Sequence, residues 1–368
     1  MMNAPLFDLD VPGMQVTVNS YKPGNGLAWP TLFPLKYTPK FDLKGIEGDE
    51  GIPVSADRVA FNAKAPQKTR RKVGTWSGEL SKIAVKRVRN EKEITAYNDL
   101  KVIAASNSDP QTAQYLVDTV YDDVDFVNSA MDYKNEIDCM RIASLGIQTF
   151  PANIEGDMAS QDIINFNIPA KHFLGVKNKW SGIDNGDGIG DIVNAQNMIA
   201  KEGAPKPRFV YLEKAKFDEL CAENATARRL FPQVKDLSVV TADMIDITSI
   251  NAYMAKKSYP QILVLDTYAT IEHKDGSKET IKPWNPNVVT LSPTIQLGWT
   301  YYKPVPIVPN VEAVQVYASY YKVTSYSDLD PMVETTMAEA YIQPAFINRQ
   351  SLVFINTDNT KWADGVSA

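Results

Sequence analysis

Positions 110–145 contain no Gly and, after Pro110, no Pro. At 100° per residue, Ala113, Val117, Val120, Val124, Val127 and Met131 fall on one narrow stripe, with Tyr115, Phe126, Tyr133, Ile137 and Met140 nearly opposite. The pattern predicts one continuous helix, roughly 54 Å long at about 1.5 Å per residue. Asp109-Pro110 supplies its start: Asp caps well, and Pro fits the first helical position because its missing N–H has no partner there. Gly146 predicts a left-handed C-terminal cap. A helix that is apolar on two sides must be covered on two sides. One cover is a sheet of its own domain, under the valine stripe. The other is a second element of the chain or a neighbouring subunit.

Residues 1–40 carry Pro5, Pro12, Pro23, Pro30, Pro34 and Pro39 with Gly13, Gly24 and Gly26 between them, which predicts an extended arm without regular helix. Leu27, Trp29, Leu32, Phe33, Leu35, Tyr37 and Phe41 are too apolar to be left in water. The arm is therefore expected along another surface. Trp29, Phe33 and Tyr37 are candidate contacts, exposed in an isolated subunit and buried between subunits. On that reading, removal of residues 1–38 leaves a folded subunit that cannot assemble correctly.

Residues 41–89 read as a protruding two-stranded loop. Glu47, Asp49 and Glu50 among Gly45, Gly48 and Gly51 make an acidic, flexible start. Ser81–Val88 partly alternates polar and apolar, as a strand does. The stretch 64–92 holds ten Lys/Arg against two Glu. Lys64, Lys68, Arg70, Arg71, Lys72 and Trp76 are the candidate interface residues here. As a nucleic-acid site the stretch lacks aromatic interleaving beyond Trp76, so acidic groups on a neighbouring copy are the preferred partner. Further on, the patterning predicts a short helix over 90–105 and a hairpin between 147–155 and 163–176. Helices follow at 189–202, 213–223 and 243–257. Strands are expected at 209–212, 261–271, 311–323 and 351–356, with a hairpin turn at Asp275-Gly276.

Composition narrows the class. With 368 residues, 44% hydrophobic content and a mean hydropathy of −0.25, the chain is a soluble globular protein of more than one domain. A net charge of −6 argues against wholesale nucleic-acid binding. No run approaches 18 apolar residues and the N-terminus is not a signal peptide, so no membrane partner is expected and the chain stays where it is made. Two cysteines, Cys139 and Cys221, exclude a disulfide framework and a cysteine zinc site.

Candidate chemistry is sparse. The two histidines, His172 and His273, are read as a structural residue and a solvated turn residue. No phosphate-binding, dinucleotide, nucleophile-elbow or HExxH motif occurs. Asp184-Asn185-Gly186-Asp187-Gly188-Ile189-Gly190-Asp191 has the wrong spacing for a calcium loop and is read as a turn capping the next helix. No catalytic residue, cofactor or metal is assigned. A carboxylate-using enzyme is the reading from another class, testable by a convergent acidic cleft.

The order of segments resembles the major capsid proteins of tailed bacteriophages, in particular the lambda-type capsid protein E family. The likeness rests on the arm and basic loop, and on Ile94 to Leu100 followed by the long helix with Tyr121-Asp122-Asp123-Val124 and Asn135-Glu136-Ile137-Asp138 before Leu145-Gly146. Trp180 to Asp191, Arg208 to Leu212, Asn287 to Pro293 with Gly298, and Asp330-Pro331 through Gln343-Pro344 to Leu352–Ile355 complete it. The resemblance implies an α+β fold of the HK-ninety-seven type. Its parts would be an N-terminal arm (1–40), an extended loop (41–89), a peripheral domain with a spine helix (90–178, helix 110–145), an axial domain (179–325) and C-terminal strands returning to the peripheral domain (326–368). It further implies hexamers and pentamers closing an icosahedral shell around double-stranded DNA, contacted non-specifically, in a virion assembled in the host cytoplasm. Separate scaffolding and portal proteins, and decoration proteins, would be its helpers. An encapsulin-like compartment shell shares the fold and is the alternative.

Overall fold

The computed structural model describes residues 3–7, 9–22, 26–46, 75–106, 110–149, 163–273 and 275–363. The chain enters through α1 (Val11–Ser20), the single turn α2 (Trp29–Leu32) and β1 (Leu35–Tyr37). The arm is thus not free of helix, against the sequence expectation. The position of the prolines explains why. Pro12 and Pro30 occupy the first turns of α1 and α2, where no N–H is needed. Asp10 caps α1 by accepting the Gly13 N–H at 2.8 Å.

Next, β2 (Asp42–Ile46) and β3 (Thr75–Glu79) pair antiparallel from Asp42↔Glu79 to Ile46↔Thr75, the base of the two-stranded loop. Its span 47–74 lies outside the described residues. Then come β4 (Ser81–Arg89), α3 (Glu91–Ser106) and α4 (Pro110–Leu145). The predicted long helix is therefore one unbroken element of 36 residues. It stops at Gly146, whose φ of +74° suits only glycine without strain and whose N–H reaches Ile142 O at 2.9 Å.

The strands β5 (Ile147–Gln148) and β6 (Ile164–Asn165) pair antiparallel, as the expected hairpin required, but the rest of its second arm, 163–176, leaves that pair and ends in a strand of another sheet. They are followed by β7 (Phe173–Gly175), α5 (Gly188–Lys201), β8 (Phe209–Glu213), α6 (Lys214–Ala222), α7 (Asn224–Leu230), α8 (Ile247–Lys256) and β9 (Gln261–Leu265). The hairpin of β10 (Ala269–Glu272) and β11 (Lys278–Ile281) turns at Asp275-Gly276. The last strands are β12 (Val288–Ser292), β13 (Gly298–Lys303), β14 (Val314–Ala318), β15 (Tyr321–Leu329), β16 (Met332–Phe346) and β17 (Val353–Asn356). Two further stretches expected as single strands are also divided. The 261–271 stretch breaks into β9 and β10, in different sheets. The 311–323 stretch becomes the β14–β15 hairpin, its turn hidden in an apolar run at Ser319-Tyr320.

Two sheets organise the molecule. The first runs β1-β13-β16-β15-β14, with β4 on the opposite side of β16. The helix α4 packs on it: Val120, Val124, Val127 and Met131 share a core with Val323, Ala338, Ala340 and Ile342. On the opposite stripe Ile137 and Met140 are buried, while Tyr115 and Tyr133 are exposed. The second sheet runs β7-β17-β12-β8-β9. Its core unites Val210, Leu212, Leu291 and Ile355 with Ile192, Leu220, Ile250 and Met254 of the helices α5, α6 and α8. The last turn of α4 meets this sheet, where the Thr290 hydroxyl donates to Ala143 O at 2.8 Å. The sheets do not follow the segmentation read from sequence. The β15–β16 hairpin carries the first sheet across position 325, and β17, expected on the long-helix side, pairs with β12 and β7 in the second.

Candidate assembly interface

The arm is bound to its own subunit by side chains that the sequence did not single out. Glu334 on β16 accepts the N–H groups of Leu6 and Phe7 at 2.8 and 2.9 Å. Glu136 on α4 accepts those of Ala28 and Trp29 at 3.0 and 2.8 Å. Asp132, one helical turn earlier, takes hydrogen bonds from the hydroxyls of Tyr320, at 3.1 Å, and Tyr21. All three carboxyls are buried, and burial pushes each above its ordinary range against the pull of those donors. The apolar contacts match. Phe7 packs at a tilt on Tyr97, ring centroids 4.1 Å apart, Trp29 meets Tyr320 edge-on at 5.9 Å, and Phe33 lies 5.9 Å from Phe346.

This overturns part of the interface expectation. Trp29 is 4% and Phe33 0% exposed within the single chain, so neither waits for a neighbour. Tyr37, at 58%, is exposed as expected. The cause is the helical turn α2, which points Trp29 and Phe33 into the core beside α4, while β1 adds to the edge of β13 and leaves Tyr37 outside. A chain lacking residues 1–38 would lose Phe7, Met14, Trp29 and Phe33 from its core, so the expected folded, truncated subunit does not follow either. The sequence signal for the seat was available. Asn128, Asp132, Asn135 and Glu136 put polar groups at helical spacing on one face of α4, and all are buried.

The basic stretch divides in two. Lys64, Lys68, Arg70, Arg71 and Lys72 lie outside the described residues, as does the side chain of Trp76, whose backbone belongs to β3. Within β4, Lys82, Arg87 and Arg89 are committed to their own chain rather than to a neighbour. Lys82 pairs with Glu339. Arg87 reaches Asp122 at 2.7 Å and Asp123 at 3.2 Å, and Arg89 pairs with the same Asp123 at 2.5 Å. The alternation of β4 explains this: Arg87 and Arg89 share a face with Ile83 and Val85, which packs towards α4. What stays outside is a stripe along α4, with Tyr115, Asp118, Asp122, Asp125 and Tyr133 exposed at successive turns.

The acidic motif 184–191 is the cap it was read to be. Asp187 accepts the Gly190 N–H at 2.9 Å, starts α5, and pairs with Arg229, which holds its carboxyl below the usual range despite burial. Glu223, buried, accepts the Gly188 N–H with both oxygens, at 3.1 and 2.9 Å. Burial pushes it up to about 8. His172 is buried with its Nε2 3.0 Å from Glu202, and His273 lies by its hairpin turn against Glu279. Among the described residues no group of three or more His, Cys, Asp or Glu is placed to hold a metal ion. None of their helices is long and apolar enough to cross a membrane.

No family model matches the chain, and no curated protein matches it by sequence. Solved structures do match it by shape. A phage-related protein from Bordetella bronchiseptica is 15% identical and superposes with a TM-score of 0.50 over 96% of this chain and 98% of its own. A protein described as the capsid protein of an Escherichia coli prophage is 12% identical, with a TM-score of 0.53 over 95% and 99%. The chain therefore has the α+β fold of tailed-phage capsid proteins, the HK-ninety-seven type. In that fold α4 stands as the spine helix.

Proposed function

We propose that this protein is a major capsid protein, a non-enzymatic subunit whose copies form hexamers and pentamers and close an icosahedral shell around a double-stranded DNA genome. The observation that carries the reading is the extent of the fold match, nearly end to end in both chains at once. The first sheet with α4 serves as the peripheral part and the second with α5–α8 as the axial part. The segment 41–89 supplies the extended loop, with Lys64, Lys68, Arg70, Arg71 and Lys72 as its candidate contacts to acidic groups of an adjacent subunit. Head-to-tail contacts close into rings when the rotation permits, and weak single contacts compound because each subunit makes several. Separate scaffolding and portal proteins, decoration proteins and non-specific contact with DNA belong to the same proposal, as does assembly in the host cytoplasm.

Electron microscopy of the concentrated full chain tests it. Closed shells, rings or tubes are expected; dispersed monomers, with scaffolding protein present, overturn the reading. Charge reversal of Arg70 and Arg71 together should slow assembly at low salt more than at high salt, since exposed charges are screened over about 8–10 Å at physiological ionic strength.

A further inference from the structure

The axial part is electrically two-ended. The parallel strands β8 and β9 run side by side from Phe209↔Gln261 to Glu213↔Leu265, and α8 runs back beside them. Five residues of strand separate the two ends by about 16 Å. Each end carries an open cleft. The one at the start of α8, about 420 Å³, has an apolar floor of Phe217, Ile247 and Val264 and a rim bearing Asp218, Asp243 and Asp246. Lys214 pairs with Asp218, and Asp246 is used as the helix cap, but Asp243 is exposed and forms no ion pair among the described residues. Met244, the next residue, stands exposed.

The cleft at the other end, about 330 Å³, is lined by Lys206, Arg208, Phe209 and Tyr259. Lys256 and Lys257 adjoin it at the end of α8. All four cations are exposed. Among the described residues none of them forms an ion pair within the chain. A cation on a long aliphatic stem suits the opposite cleft on both counts: its stem lies on the apolar floor and its head reaches the acidic rim.

We infer that these two ends dock on each other between successive copies, the basic cleft of one subunit against the acidic cleft of the next, as the head-to-tail contact of the axial ring. The inference rests on the shell reading above and assigns surfaces to it. Such a contact is heterologous, so it repeats in one direction and closes only by rotation.

The test inverts charges at both ends. Asp243→Lys sets a cation on the acidic rim; Lys206→Glu with Arg208→Glu sets two carboxylates in the basic cleft. All three sites are exposed, so folding should be preserved, which circular dichroism and thermal melts verify. Each variant alone should associate about tenfold more slowly than wild type at low salt. One chain carrying all three changes again has opposite charges at the substituted sites and should regain association. An equimolar mixture of the two variants should alternate around even-numbered rings and so favour hexamers, sheets or tubes over closed particles. If wild type forms shells and the variants match it, or the triple variant stays as defective as its parents, the contact is wrong and the shell reading stands. If wild type remains monomeric at high concentration, the shell reading falls and takes this contact with it.

Discussion

Glu136 holds the backbone of Trp29. Its Oε2 accepts the Trp29 N–H at 2.8 Å and the Ala28 N–H at 3.0 Å, with the carboxyl wholly buried between the spine helix and the arm. The bond does not depend on which side chains the arm carries, only on an amide pair arriving in the right place. Trp29 then fixes the direction of the segment by packing on Tyr320.

Glu136→Ala leaves two buried donors without an acceptor, at a cost of about 1–3 kcal/mol, more than Glu136→Gln, which retains a carbonyl oxygen. Hydrogen exchange should rise first at residues 26–33. Uniform exchange across the chain in the alanine variant would show that the arm is held elsewhere.

Trp29→Ala and Phe33→Ala should each destabilise the isolated subunit by about 3–5 kcal/mol, the usual loss for a buried aromatic. Denaturant titration of non-assembled protein measures this. A Tyr37→Ala subunit, altered at a site already in water, should unfold with the wild-type midpoint. Deleting residues 1–38 should yield an unfolded or aggregated chain.

A methyl group on Gly298 would collide with Ala345 O and the ring of Phe33. Gly298→Ala should therefore cost about 1–3 kcal/mol by overpacking. Pairing it with Phe33→Leu should recover part of the loss. Additive losses in the double variant would place the strain elsewhere.

Glu223 makes stability depend on pH. Its folded value, about 8, lies above the ordinary 4.5 of a free glutamate because it is buried. The folded form therefore binds a proton that the unfolded form releases, so the contribution is complete below about pH 4.5 and is lost as pH rises through about 8. Relative to Glu223→Gln, wild type should weaken across that window and then level off. Parallel stability curves for the two proteins from pH 5 to 9 would contradict the assignment.

Both thiols should be inert in the folded protein. Cys139 and Cys221 are buried, and burial pushes Cys221 up to about 11. A thiol reagent at pH 8 should modify neither until denaturant is added, and then both.

The long helix was readable because its signal is local: helical spacing, a good start and a glycine stop within one stretch. The arm was misread because proline density was weighed without proline position, and two prolines at first turns favour a helix. The cations of β4 were misassigned for a different reason. Their partners Asp122, Asp123 and Glu339 come from α4 and from β16, some 35 to 260 residues later, and no spacing rule spans that separation. The seat of the arm was equally non-local, since Glu334 meets Leu6 across 328 positions.

The strand β16 is gripped on both sides. β4 pairs with it from Glu334 to Ile342, while β15 and then β13 take the opposite edge, from Met332 to Phe346. A tug on the base of the loop through β4 would pull along a ladder of nine residue pairs, loading them together instead of peeling them one by one. In the shell proposed above, pressure from packed contents would thus be borne in shear by the sheet's longest seam.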